Sequence, residues 1–230
     1  MDTVSGVGVL DKAVAVLDAV EGGPRSLTEL VSSTGLSRPT AHRLAVALET
    51  HGLLRRDEDG RFCLGLRLIG LGHEAAEAVP LWAAARPALA WLHEQTGESV
   101  QLFVRDGDTR VCVESIESPR ELRTIVPVGA RLPLRVGSAG KVLSGGSGPW
   151  VQSVGEREEG VASVSAPVHD RAGRVVAAVS VSGPIQRLTR KPGQRYGALV
   201  ADAARQVEAA VDQPPGRSTS VTSVLGSAGP

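Results

Sequence analysis

Apolar residues follow one period in the first part of the chain and another in the rest. Residues 9–21 place Leu10, Ala13, Val14, Leu17 and Val20 on one helical stripe, which Gly22-Gly23-Pro24 ends. Ser26 followed by Glu29 fits a capping box and predicts a short helix through Val31 and Ser32, broken at Thr34-Gly35. Ser37 stands at the next N-cap position with Pro39 in the first turn, and Ala41, Leu44, Ala45 and Leu48 then recur at helical spacing until Gly52. Residues 53–56 and 61–64 read as two short arms around the turn Asp57-Glu58-Asp59-Gly60, a hairpin. Residues 66–79 predict a linker helix, weakened by Gly70 and Gly72 by about 1 kcal/mol each relative to Ala. Pro80 separates it from a helix over 82–96, with Pro87 inside it and Gly97 as its cap.

From Glu98 the spacing becomes that of strands. Residues 99–105 and 110–116 predict a hairpin around Asp106-Gly107-Asp108, and residues 123–128 predict a further strand. Residues 161–169 and 174–182 predict a second hairpin, and 194–211 returns to helix. Residues 213–230, rich in Pro, Gly, Ser and Thr without acids, read as a disordered tail. The expected fold class is α+β: a winged helix-turn-helix over residues 1–65, a linker helix over 66–79, a sheet domain with flanking helices over 80–212, and the tail.

The stretch 26–62 makes double-stranded DNA the first candidate partner. In a helix-turn-helix the start of the second helix meets base edges, and its partially positive end suits phosphate. Ser37, Arg38, Thr40, His42 and Arg43 lie there. Arg43 points away from the apolar face and can donate two hydrogen bonds to a guanine, while Thr40 can reach a phosphate or a base. Arg55, Arg56 and Arg61 put cations on the wing. The alternative is an ordinary solvated helical hairpin, but caps, turn, basic outer face and hairpin coincide. Charge refines the picture: the chain has no net charge, and residues 1–65 hold more acids than bases. Binding must come from local placement and from two or more copies.

In the sheet domain, Ser180 and Ser182 share one face of a strand, Val179 and Val181 the other, and Ser163 and Ser165 behave alike on the partner strand. Hydroxyls gathered on one face suit a small polar ligand or, equally, solvent. Enzyme motifs fail. Gly137-Ser138-Ala139-Gly140-Lys141 lacks the spacing and the Ser or Thr of a phosphate-binding loop, Gly145–Pro149 fails the nucleophile-elbow pattern, and His73-Glu74 has no second histidine four residues on. The histidines are scattered, so no metal and no cofactor is expected. No apolar run is long enough to span a membrane and no secretory signal is visible, which makes the cytoplasm the expected compartment and Cys63 and Cys112 free thiols.

Three stretches carry a family resemblance: SRPTAHRLAVALETHGLL at 37–54, VGARLPLRVGSAGKVL at 128–143, and SVGEREEGVASVSAPVHDRAGRVVAAVSVSGP at 153–184. The chain resembles the IclR family of bacterial transcription regulators over roughly residues 8–212, most closely its actinobacterial NdgR/AreB-type branch. The resemblance implies a GAF-like effector-binding domain, a palindromic operator, a homodimer or tetramer, and genes of amino-acid metabolism with a small organic acid or amino acid as effector. It also implies an effector site at Leu132, Ser138, Ala139, Ser163, Ser180 and Ser182, with backbone N–H groups of Ser138 and Ala139 holding a carboxylate. The family's acidic ligand position falls near Ser153, which is not an acid, and the interval 142–153 is several helical turns shorter than in relatives. The alternative function is a small-molecule binding module whose winged domain makes protein contacts.

Overall fold

The computed structural model describes residues 5–77 and 79–212, which fall into compact units Met1–Ala78 and Val79–Pro230. The tail expected over 213–230 lies outside the described residues.

The first unit is built on three helices, α1 (Gly8–Glu21), α2 (Leu27–Thr34) and α3 (Arg38–Thr50). A hairpin of β1 (Leu54–Arg56) and β2 (Phe62–Leu64) and then α4 (Arg67–Glu77) follow. The capping box forms: Ser26 Oγ accepts from Glu29 N–H at 3.3 Å and Ser26 N–H donates to Glu29 Oε2 at 2.7 Å. Gly35, at φ 68°, closes α2 in the left-handed conformation that glycine adopts without strain. Ser37 takes the N-cap position of α3, but its hydroxyl caps no backbone N–H and donates to Thr40 Oγ1 at 2.9 Å instead. Asp57 Oδ1 accepts from the N–H of Arg61 at 2.8 Å and of Asp59 at 3.1 Å, which shapes the hairpin turn. A side chain on Gly65 would meet Gly52 O at 2.1 Å, so the chain leaves the wing only because that residue is glycine. Val16, Val20, Leu30, Ala41, Ala45, Leu54 and Phe62 close the core.

The second unit carries a six-stranded antiparallel sheet, ordered β5-β4-β3-β8-β7-β6. Its strands are β3 (Ser99–Asp106), β4 (Thr109–Ile116), β5 (Arg131–Pro133), β6 (Val151–Val154), β7 (Val161–His169) and β8 (Val175–Pro184). The helices are α5 (Pro80–Thr96), α6 (Ser138–Leu143), α7 (Ile185–Leu188) and α8 (Pro192–Asp212). Val100, Leu102, Val164, Val179 and Val181 form one sheet face and pack with Leu89 and Leu92 of α5 and Val200 and Val207 of α8. On the other face Phe103 and Ala178 join Ala139, Val142 and Leu143 of α6 in a smaller core.

Three expectations need correction. Residues 123–127 alternate between exposed and buried, as a strand does, yet residues 123–128 belong to no strand. Cys112 N–H donates to Ala130 O and Gly129 N–H to Cys112 O, so β4 pairs with the chain further on, and the strand forms at Arg131–Pro133. The break between two helices falls just before Pro80 rather than after it: α4 ends at Glu77, and Pro80 itself begins α5, where a missing N–H leaves no bond unmade. The end of the shortened interval 142–153 is itself regular structure: residues 151–153 join Val154 in β6 at the sheet edge.

Trp150 enters β6 through a notch in α8. A methyl at Gly193 would lie 2.1 Å from the Trp150 ring and one at Gly197 2.5 Å from it, and Gly193 N–H donates to Gln152 Oε1 at 2.9 Å. Gly197→Ala is expected to destabilise the protein by about 1–3 kcal/mol in urea unfolding. In a Trp150→Leu background the same change is expected to cost less, because the ring it strikes is gone.

Candidate functional site

The first unit divides its cations into free and engaged groups. On α3, Arg38, His42, Arg43 and Thr50 are exposed, while Ala41, Ala45 and Leu48 are buried. Arg38 Nη1 donates to Thr28 Oγ1 at 3.3 Å. Arg43 and, on the wing, Arg55 are exposed and have no side-chain partner among the described residues. The other wing cations are committed. Arg56 pairs with Glu49 at 3.2 Å and lies 4.2 Å over the Phe62 ring, and Arg61 pairs with Glu29 at 3.1 Å. Lys12, which the sequence reading passed over, projects from α1 beside Thr40 and Arg43 around one surface hollow. It sits on the polar side of the α1 stripe, and only the packing of α1 against α3 reveals its company.

Glu29 organises this unit. Hydrogen bonds from the Ser26 backbone and hydroxyl, then the Arg61 guanidinium, hold its carboxyl down to about 2. One carboxylate therefore caps α2 and holds the wing.

In the second unit the register creates the site. Ser163 faces Ser182 and Ser165 faces Ser180 across β7 and β8, Gln101 of β3 faces Ser180, and Ser153 of β6 faces Ser163. All these side chains leave the sheet on the same face, opposite the α5 and α8 core. Ser138, at the start of α6, donates to Ser163 Oγ at 2.7 Å and stands 2.7 Å from Ser165 Oγ, which donates to Ser180 Oγ at 2.9 Å. Ser182 donates to Gln101 Oε1 at 3.0 Å.

Between this polar face and α6 lies a small cavity that opens to solvent at its mouth. Leu132, Ser138, Ala139, Ser163, Ser180 and Ser182 all line it, together with Ser153. The backbone N–H of Gly137, beside the expected carboxylate-binding loop, donates instead to Glu156 Oε2 at 3.3 Å. The sequence reading missed Gln101, Arg110 and Arg157, which also line the cavity. Arg110 is 3% exposed and stacks 5.4 Å from the Phe103 ring. Its Nη1 donates to the carbonyls of Pro133 and Val136, tying down the segment before α6, while its Nε has no acceptor among the described residues. Burial, reinforced by the charge of Arg157, pushes Arg110 down to about 10, so it is still a cation at neutral pH. A basic residue near the start of an apolar alternation was the available signal: Arg110 is the second residue of β4, with its side chain on the cavity face. Burial pushes the nearby Cys112 thiol up to about 12, which leaves it unreactive at neutral pH. No helix is long and apolar enough to cross a membrane among the described residues.

A helix-turn-helix with a hairpin wing, joined in one chain to a sheet domain with a polar cavity, defines a transcription regulator with a DNA-binding half and a second domain. The family model of the IclR helix-turn-helix domain matches residues 9–58, and that of the bacterial transcriptional regulator IclR C-terminal domain matches 73–153 and 147–209. The chain belongs to the IclR family, whose members regulate transcription and are not enzymes. The C-terminal matches overlap at 147–153, within the shortened interval. The chain is 31% identical to the glycerol operon regulatory protein of Streptomyces coelicolor, over 86% of this chain and 94% of that protein. It is 28% identical to the HTH-type transcriptional regulator KipR of Bacillus subtilis, over 85% and 94%. Among solved structures it resembles an IclR homolog from Microbacterium hydrocarbonoxydans complexed with 4-hydroxybenzoate, with a TM-score of 0.78 at 21% identity over 88% of this chain and 98% of that one.

The Glu29 arrangement has a pH signature. Its folded carboxyl titrates near 2 against an ordinary 4.5, so its stabilisation is present above about 4.5 and is lost as pH falls toward 2. Thermal melts of wild type and Glu29→Gln are expected to differ by a constant gap from neutral pH down to about 4.5 and to converge toward pH 2.

Proposed function

We propose that this regulator binds a palindromic operator as a pair of winged domains, and that a small molecule in the serine-lined cavity governs that binding. The observation that carries the reading is the coexistence of an exposed cationic face on α3 with a cavity whose buried polar groups are only partly satisfied. On α3, Arg43 reads a base edge, with Ser37, Arg38, Thr40 and His42 around it. Lys12 and Arg55 meet phosphates, and Arg56 and Arg61 reach DNA only by sharing their carboxylate partners. Leu66, Ile69 and Leu71 are 71%, 70% and 49% exposed on and beside α4, and Val9, Leu10 and Val14 are exposed on α1. Such apolar surface supports a homodimer through the DNA-binding halves, with a tetramer as the higher assembly. Paired recognition helices imply half-sites one helical turn apart or a multiple of it.

Leu132, Ser138, Ala139, Ser163, Ser180 and Ser182 are the proposed effector contacts, and the effector is a small organic acid or amino acid. Support comes from the hydrogen-bonding capacity of the lining and from a structural neighbour bound to 4-hydroxybenzoate. The resemblance to the NdgR/AreB-type branch supports amino-acid metabolism as the regulated process, whereas the named Streptomyces relative regulates a glycerol operon. A regulator of this kind works in the cytoplasm, where the chromosome is. Effector binding shifts the population between arrangements of the paired winged domains that fit the operator differently.

DNase footprinting of the promoter region of the protein's own gene tests the reading, and no protection at low salt would overturn it. Arg43→Ala is expected to cost about 1–3 kcal/mol of specific binding and to relax the preference at one base pair. Lys12→Gln is expected to weaken binding equally across sequences and to lower the slope of log affinity against log salt by about 1 per protomer, as measured by fluorescence anisotropy. Ser163→Val and Ser180→Val are expected to blunt the effector response while sparing DNA binding. Equal loss of both would reject the cavity as the effector site.

A further inference from the structure

Residues 155–160, between β6 and β7, form a loop with a glycine at each end. Gly155 has φ 70° and Gly160 φ 85°, and a side chain on either would meet nothing within 4 Å. Left-handed glycines with open space around them can absorb a change of backbone angle, as a hinge must. The ends of the loop are tied: Gly155 N–H donates to Val161 O and Ile185 N–H to Gly160 O, both at 2.8 Å. Between the ends, Glu158 and Glu159 are exposed, while Arg157 turns inward and lines the cavity.

Two opposed forces act on this loop. Arg157 and Arg110 are cations lining one cavity, and they repel each other. The one ion-pair partner of Arg157 among the described residues is Glu158, on the same loop, at 3.6 Å. Glu156 supplies the restraint from outside. Its carboxylate accepts from Lys141 Nζ of α6 and, at 3.3 Å, from the N–H of Gly137 just before α6. Partial burial raises this carboxyl, but hydrogen bonds from Lys141, Gly137 and Ser153 outweigh it, so the group lies below its ordinary value and is ionised at neutral pH. The α6 side of the contact is fixed. Ser138, Ala139, Gly140, Val142 and Leu143 are buried, and a methyl on Gly140 would lie 2.3 Å from Leu134 O. The Lys141 and Glu156 side chains are 39% and 34% exposed. Water and salt compete for a pair so placed, which suits a contact that biases a loop without locking it.

We infer that residues 155–160 are a hinged lid on the cavity, latched to α6 by Glu156 through Lys141 and Gly137, and driven open by the repulsion between Arg157 and Arg110 when the latch breaks. The lid presupposes the effector reading above and adds how that site is entered. Opening carries Arg157 out of the lining, and closure returns it. Exchange of the effector is then paced by an ion pair whose two members do not line the cavity.

An arginine-specific protease reads the lid directly, because it cuts after Arg157 only when that side chain has left the cavity for the protease's own pocket. The test is limited proteolysis of the full chain without effector, with mass spectrometry giving the rate at each site. The cut after Arg171, exposed in the turn between β7 and β8, is the internal reference. Lys141→Met leaves the cleaved sequence unaltered and is expected to raise the rate at Arg157, relative to Arg171, by about threefold or more with an unchanged circular dichroism spectrum. Lys141→Arg, which keeps the latch, is expected to stay near the wild-type rate. Adding Lys141→Met to Glu156→Gln is expected to bring no further increase, since one contact is lost only once. Raising the salt to about 0.5 M is expected to speed the wild type and to leave Lys141→Met unchanged. A wild-type rate in Lys141→Met, a rise shared equally by Arg171, or no cut after Arg157 in any variant would each overturn the lid. Because no effector enters this experiment, such a result leaves the effector site standing. That reading falls instead if Ser163→Val and Ser180→Val keep a full effector response.

Discussion

The second domain depends on a register. Because side chains alternate along a strand, the pairing of Ser163 with Ser182 and Ser165 with Ser180 puts every hydroxyl on one face and every core valine on the other. A slip by one residue would bury the serines against α5 and α8 and turn Val164, Val179 and Val181 into the cavity. The apolar core therefore specifies the polar site without touching it. The helices that cover the valines fix which face is left for α6, and α6 delivers Ser138 into the middle of the ladder. Arg110 extends the same logic one strand further. Its guanidinium ties down the carbonyls of Pro133 and Val136 and so holds the segment from which α6 starts, while other donors of the same group face the cavity.

In the first unit a single carboxylate plays the comparable part. Glu29 satisfies the start of α2 and anchors the wing through Arg61, so the geometry of the helix-turn-helix and the angle of its hairpin share one residue. That economy has a consequence for charge. Arg56 and Arg61, counted as wing cations from sequence, are partly neutralised by Glu49 and Glu29, and the free positive face contracts to Arg43, Arg55 and Lys12, with Arg38 bound only through a threonine hydroxyl.

Much of this was legible in the sequence where local chemistry decides. The capping box, the left-handed glycines after α2 and α5, the hairpin turns and the alternation of β7 and β8 depend on residues close in the chain. The serines of the cavity were legible for the same reason, since a two-residue spacing on a strand fixes a face. What sequence missed depends on distant partners. Residues 123–128 have the periodicity of a strand, but the backbone of β4 is bonded to residues further along, so that periodicity serves only to bury Thr124 and Val126. Arg110 and Arg157 are separated by many residues and meet only because β4 lies near the cavity floor and residue 157 follows β6. Lys12 joins Arg43 only through helix packing. The short strand β6 was hidden by the brevity of the interval before it.

That brevity has an engineering meaning. Trp150 is seated against Gly193 and Gly197, so the strand beyond it is anchored to α8 independently of what precedes it. The residues just before, Ser147, Gly148 and Pro149, are exposed at a loop tip. A tip isolated in this way from the cavity wall is the kind of site where inserted sequence is tolerated. The chain thus offers a graft point at which a reporter domain or an epitope can be added beside the sensor without disturbing the register that defines it.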